Sequence, residues 1–140
     1  MTLVVATGTF SVLHPGHITY LEEARKLGDR LIVIVARDEF VRKRKNSCPI
    51  PEQQRLAVVK ALKPVDGAIL GDTEDIFKPI EELKPDIIAL GKDQDFKEGE
   101  LEAELSRRGL KAKVVRVQGY WESGLDSSNK IMARIRENSP

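Results

Sequence analysis

The chain has 140 residues, 41% of them hydrophobic and 32% charged, with a formal net charge of +1 at pH 7. One domain of that length can bury a single core without staples, and the near-zero charge leaves no bulk attraction for nucleic acid, so any anion site must come from local placement. Cys48 is the only cysteine, which excludes an internal disulfide and points to a reducing compartment.

Apolar, β-rich runs alternate with amphipathic stretches. The opening Leu3-Val4-Val5-Ala6 predicts a buried strand; it is far shorter than a signal-peptide core and has no basic flank. Gly16 to Leu27 predicts a helix with Ile18, Leu21, Ala24 and Leu27 on one face, and Leu31 to Ala36 a strand covered on both sides. Pro51 to Leu62 suits a helix that starts on a proline, with Leu56, Val59 and Leu62 inward. A short strand over Ala68–Leu70, a short helix over Ile76–Leu83 and a strand over Asp86–Leu90 follow. Glu98 to Arg108 reads as a charged surface helix, Val114 to Val117 as a fifth strand, and Ser128 to Glu137 as a closing helix.

Five strands interleaved with helices predict an α/β fold: a single-domain, Rossmann-like, doubly wound parallel sheet over residues 1–140. No run approaches the roughly 20 apolar residues of a membrane span. The expectation is a cytoplasmic protein with no membrane and no nucleic-acid partner. Ligands of such sheets bind beyond the C-terminal strand ends, so the segments after strands carry the functional reading.

Thr7-Gly8-Thr9-Phe10-Ser11-Val12-Leu13-His14-Pro15-Gly16-His17 follows the first strand and opens the first helix. Gly8 lets backbone approach a ligand, and Thr9 supplies a hydroxyl and an amide. His14 and His17 straddle a helix start, where unpaired N–H groups and the dipole favour an anion. Imidazoles there can donate to phosphate oxygens, with most effect as negative charge builds in a transition state. A dinucleotide fingerprint would need a second glycine after Gly8-Thr9, and a P-loop would need Gly-Lys-Thr/Ser. Zinc ligation lacks a third residue at a telling spacing; plain capping of the helix is the other reading of the pair.

Other segments point to the same rim. Arg42-Lys43-Arg44-Lys45 follows the second strand; it is either a solvated surface or a mobile lid whose cations, Lys43 among them, neutralise a leaving pyrophosphate. Asn46-Ser47-Cys48-Pro49 reads as the flexible end of that lid, with Cys48 an incidental thiol. Arg55, by itself, reads as a helix-surface cation. Gly91-Lys92-Asp93-Gln94 closes the fourth strand, where Asp93 can accept from a ribose or base. Gly119-Tyr120-Trp121 offers a wall for a flat ring or ordinary packing. Ser127 and Ser128 begin the last helix in the place of ordinary N-caps.

Gly-Thr-Phe-x-x-x-His-x-Gly-His resembles the signature of the cytidylyltransferase-like nucleotidyltransferases. The resemblance implies that Thr9, Phe10, His14, Pro15, Gly16, His17, Asp93, Tyr120, Ser127 and Ser128 bind nucleotide. It also implies that His14 and His17 stabilise a pentacoordinate phosphorus and that Arg55, in Pro51-Glu52-Gln53-Gln54-Arg55, contacts the triphosphate. Nearly the whole chain is most similar to the archaeal-type FAD synthetases. This likeness is carried by Leu31 to Glu39, Ala61 to Asp66, Glu82 to Ile88, Arg116 to Tyr120 and the spacer before Ser127-Ser128. Membership would imply ATP and FMN as substrates, Mg²⁺ with the ATP, no metal site of the protein's own, and a homodimer. Two departures stand out: Ser11 replaces the aspartate that many members carry after Gly-Thr-Phe, and the C-terminal cysteines of that group are missing. A CTP-dependent enzyme acting on glycerol 3-phosphate and a non-catalytic nucleotide- or flavin-binding protein are the alternatives.

Overall fold

The computed structural model describes residues 1–45, 48–92, 94, 96–118, 125 and 127–139. The elements in chain order are β1 (Leu3–Gly8), α1 (Pro15–Arg25), β2 (Arg30–Val35), α2 (Asp38–Lys45), α3 (Glu52–Lys60), β3 (Gly67–Leu70), α4 (Lys78–Leu83), β4 (Ile87–Leu90), α5 (Glu98–Arg107), β5 (Lys113–Arg116) and α6 (Ser128–Glu137). The strands form one parallel sheet in the order β3-β2-β1-β4-β5. The chain winds outward from β1 through β2 to β3, then returns to the other side of β1, so the switch point lies between β1 and β4.

Both faces of the sheet are covered, which is why its strands are continuous apolar runs rather than alternating ones. One core gathers Val4, Ala6, Leu31, Val33 and Val35 with Leu21 and Ala24 of α1 and Val59 of α3. The other gathers Val5, Ile32, Ile34, Ile88 and Leu90 with Ile80 of α4 and Leu101 and Leu105 of α5. Three aspartates tie down the N-terminal strand ends. The Asp29, Asp86 and Asp66 carboxylates accept the N–H groups of Thr2, Leu3 and Leu31 at 2.7, 2.8 and 2.8 Å. That end is closed by side-chain hydrogen bonds to the strand starts, and the C-terminal end is left for ligands.

The one element the sequence pattern did not announce is α2. Residues 38–45 lack an apolar period, and Val41 is the only buried side chain in the helix. Three features hold it instead. Asp38 and Glu39 lie in its first turn and four cations in its last, which suits the helix dipole. The Glu52 carboxylate also accepts the Asp38 N–H at 2.8 Å. The expected lid is therefore, through Lys45, a regular helix.

Candidate active site

The site begins where β1 and β4 part. Their register runs from Val4↔Ile87 to Ala6↔Ala89, and beyond it the hydroxyl of Tyr20 enters the gap. Tyr20 accepts from the Thr7 N–H at 3.3 Å and donates to the Ala89 carbonyl at 2.8 Å. Full burial raises its pKa well above the usual phenol range, so the donor stays protonated. Gln94 makes the second bridge: it accepts from the Gly91 N–H at 2.7 Å and donates to the Thr7 carbonyl at 3.1 Å. These two side chains satisfy backbone groups that a splayed sheet would otherwise leave unpaired.

Past Gly8 the chain turns through Phe10, which sits at φ 56, a left-handed conformation unusual for an aromatic residue. The ring is 4% exposed and lies so close to Gly8 that a Cβ there would meet it at 2.8 Å. Only glycine fits under it. The other side of the loop is set by histidines. His14 is the N-cap of α1, its Nδ1 accepting the Gly16 N–H at 3.1 Å, while the Nδ1 of His17 accepts the His14 N–H at 3.2 Å. A ring nitrogen that accepts cannot carry the proton, so each neutral imidazole is an Nε2–H donor.

The ring centroids lie 4.0 Å apart, with Phe10 5.5 Å from His17. Burial, then the nearby His14 and Lys45 charges, lowers the His17 pKa to about 4. The pair is thus a capping device and a donor pair at once. The amides of Gly16 and His17, which the sequence reading expected to be available, are already taken by His14. The imidazoles present the donors in their place.

Thr7, Gly8, Thr9, Phe10, Ser11, His14, Gly16, His17, Ser127 and Ser128 all line one cavity of about 880 Å³. Ser127 caps α6 by accepting the Lys130 N–H at 3.2 Å, and the Ser128 hydroxyl donates to the Val12 carbonyl at 3.0 Å. The closing helix is thereby attached to the histidine loop. Pro15 is the first residue of α1 and lies outside that cavity's lining, against a smaller hollow with Leu13 and Ile18.

The structure does not bring Lys43 or Arg55 to the cavity. Because α2 is helical, one side of it presents Phe40, Val41, Arg44 and Lys45 to the cavity. Lys43 points elsewhere, 64% exposed, with its ammonium 3.7 Å from Glu39. Arg55 is 1% exposed, so neither a surface cation nor a direct phosphate contact describes it. Its Nε donates to the Ile50 carbonyl at 2.9 Å, and Nη1 to the carbonyls of Thr9 and Ala36 at 2.7 and 2.8 Å. Nη2 donates to Asp38 at 2.7 Å. Burial opposes ionisation of Asp38, but hydrogen bonds from Arg55 and Cys48 outweigh it and hold the carboxyl below its usual range. Burial and that same Asp38 contact push the Cys48 thiol up, away from a nucleophile's range.

Arg116 does for the segment after β4 what Arg55 does for the histidine loop. It donates to the carbonyls of Gly91, Gln94 and Phe96 and to the Glu98 carboxylate. Sequence reasoning missed Tyr20 altogether and, although it quoted the segments that hold Gln94 and Arg116, gave those two side chains no role. The signal for Tyr20 and Arg116 is a polar group inside an otherwise apolar period; Gln94, in a polar run, had none. Asn46 and Ser47, read as the flexible end of the lid, and Asp93, Gly119, Tyr120 and Trp121 lie outside the described residues. Among the described residues, no group of three or more His, Cys, Asp or Glu side chains is placed to hold a metal ion, and no helix is long and apolar enough to cross a membrane.

A cytidylyltransferase-like family model matches residues 5–134. The chain is 63% identical over 135 residues to a protein named FAD synthase in Archaeoglobus profundus, a match covering 96% of this chain and 86% of that one. It is 61% identical over 135 residues to a Ferroglobus placidus protein of the same name, covering 96% and 88%. Among solved structures it is similar to a lipopolysaccharide core biosynthesis protein from Thermoplasma volcanium, with TM-score 0.84, 48% identity, and coverage of 86% of this chain and 99% of that one. With a match spanning nearly its full length and an intact histidine loop at the switch point of a doubly wound sheet, the chain belongs to the cytidylyltransferase-like family.

Proposed function

We infer that the chain is a nucleotidyltransferase that makes FAD by moving AMP from ATP to FMN. The reaction type rests on the donor pair: two imidazoles, each with its Nδ1 accepting a backbone N–H, line a cavity at a helix N-terminus. The substrates rest on the relatives, since proteins 61–63% identical over 96% of this chain bear the name FAD synthase.

The FMN phosphate is ionised enough at pH 7 to attack, so no general base is needed. One oxygen of that phosphate forms a bond to the α-phosphorus of ATP in line with the bridging oxygen to the β-phosphate. That bridging bond breaks, and pyrophosphate leaves. Catalysis consists of positioning and of donors aimed where charge accumulates. His14 and His17 supply those donors, and the positive end of α1 adds a fixed field. Arg44 and Lys45, on the cavity side of α2, face the departing pyrophosphate. Mg²⁺ enters as the ATP complex, held chiefly by phosphate oxygens, a common mode for this ion.

The lone free cysteine, Cys48, is in keeping with a cytoplasmic enzyme. A homodimer is in keeping with α6, which has no buried residue and leaves Ile135 59% exposed. The deciding experiment offers the purified protein Mg²⁺ with ATP and FMN, or with CTP and glycerol 3-phosphate. FAD and pyrophosphate in the first tube alone are expected. A CDP-linked product in the second would overturn the substrate assignment but keep the reaction type.

A further inference from the structure

All four phenylalanines of the chain, Phe10, Phe40, Phe77 and Phe96, line the same cavity, in a protein with only 5% aromatic residues. The cavity has two chemically different parts. The part over α1 and α6 carries the histidine pair and the two serines. The other lies over the second face of the sheet and is lined by Ile34 of β2, Ile76 and Phe77 before α4, Ile80 within it, Leu90 of β4 and Phe96 before α5. Ile34, Ile80 and Leu90 are 6%, 5% and 1% exposed, so they form a floor, whereas Ile76, Phe77 and Phe96 are half-buried walls.

We propose that this apolar arm, bounded by Ile76, Phe77 and Phe96, receives the tricyclic ring of the acceptor, while the phosphates of both substrates meet over the histidines. The proposal rests on the reading of the protein as an FMN adenylyltransferase and adds where the flavin lies. A single small ligand fills about 300–1,000 Å³, so a cavity of about 880 Å³ is at the upper end and suits a reaction that holds two substrates together. An adenine ring needs polar partners for its amino and ring-nitrogen edge, and Ile34, Ile76, Phe77, Ile80, Leu90 and Phe96 offer none, while the polar lining residues Arg37, Asp72, Lys92 and Gln94 lie at other positions of the cavity. The dimethylbenzene end of a flavin has no such requirement and favours offset or edge contacts with aromatic side chains.

One wall residue, Phe77, is braced from behind. Arg108, which does not line the cavity, stacks over the Phe77 ring at 4.6 Å and is itself held by Asp75, Glu81 and Glu104 at 3.0, 2.9 and 3.0 Å. A preformed surface of this kind loses little freedom when a ring docks. Gly8, which ends β1 ahead of the histidine loop, lines the same cavity, and a ribityl chain would join the ring to a phosphate beside His14 and His17. An acceptor such as glycerol 3-phosphate would leave the arm empty, so the arm discriminates between acceptors.

The test measures binding separately from turnover. FMN is titrated by quenching of its fluorescence, and α,β-methylene-ATP by calorimetry, against the wild type, Ile76→Asp and Phe96→Ser. A buried polar group without a partner costs enough that FMN should weaken by about tenfold or more in both variants, with the ATP analogue within about twofold. Ile76→Val and Phe96→Tyr should retain FMN affinity. Unchanged FMN affinity in both polar variants would overturn the ring site, as would loss of FMN and ATP analogue in step. A wild type that binds FMN through these residues but forms no FAD with ATP would sink the adenylyltransferase reading and leave the ring site standing.

Discussion

Arg55 and Arg116 stand on opposite sides of the switch point, and each gathers backbone carbonyls from a segment that follows a strand. Arg55 holds the segments after β1 and β2 through Thr9, Ala36 and Ile50, with Asp38 as counter-charge. Arg116 holds the segment after β4 through Gly91, Gln94 and Phe96, with Glu98 as counter-charge. They differ in their access to water. The Arg55 side chain is 0% exposed and Asp38 20%, whereas Arg116 is 21% exposed and Glu98 46%. Where water can replace a lost partner, losing the guanidinium costs little; where it cannot, each carbonyl bears its full desolvation penalty. The histidine loop is therefore built on a hub that tolerates no substitution, and the opposite segment on one that does.

The largest expected effect follows directly. Arg55→Ala leaves three carbonyls and a carboxylate facing a cavity, and breaking a buried pair in this way costs about 3–5 kcal/mol. Since native domains are stable by roughly 5–15 kcal/mol, urea denaturation should show a much lower midpoint, and a loss below about 1 kcal/mol would break the contrast between the hubs.

Next come the groups that the Arg55 hub positions. His14→Ala and His17→Ala each remove a preorganised donor and should lower kcat for FAD formation by about 10²–10³. Wild-type turnover in either variant would remove that residue from the mechanism.

A third measurement uses pH. Because burial and its charged neighbours lower the His17 pKa from 6.5 to about 4, the folded state prefers the neutral ring. The stabilisation is complete above pH 6.5 and is lost as pH falls from there towards 4, by at most about 3 kcal/mol at 1.36 kcal/mol per unit. Denaturation midpoints between pH 7 and 4 should fall more steeply in the wild type than in His17→Asn. Parallel curves would mean that His17 is not held neutral.

Arg116→Gln should be milder than any of these. It removes bonds that water can partly replace and loosens the segment that carries Phe96, so the KM for FMN should rise by about tenfold while kcat and the melting temperature change little. A collapse in stability would make the two hubs equivalent. Lys43→Ala should do least, because its contact with Glu39 is an exposed pair worth about 0–1 kcal/mol. A large loss of activity in steady-state assays would place Lys43 back at the phosphates, against its position on the outer side of α2.

Much of the architecture was legible from pattern. The runs at Leu3 and Leu31 are apolar without alternation because both faces of a parallel sheet are covered, and the strand–loop–helix around His14 and His17 is local in sequence. The helix α2 was not legible: one buried valine gives no period, and the cap comes from Glu52 in the next helix. Nor was the role of Arg55 legible, since a cation on a helix reads as surface until the segments after two strands close around it.

The sequence by itself determined the succession of strands and helices other than α2 and the chemistry of the histidine loop, because these depend on neighbours within a few residues; the parallel sheet followed from that alternation, since strands joined by helical crossovers pair in parallel. It carried no account of which member of a basic run faces the cavity, of Tyr20 and Gln94 bridging β1 and β4, or of hydrophobic side chains from β2, α4 and β4 and the segment before α5 assembling an apolar arm. Those depend on contacts between residues up to 87 positions apart, such as Gln94 with Thr7. Only closing the sheet and its crossovers brings such groups within hydrogen-bonding or van der Waals distance, so tertiary structure alone could decide them.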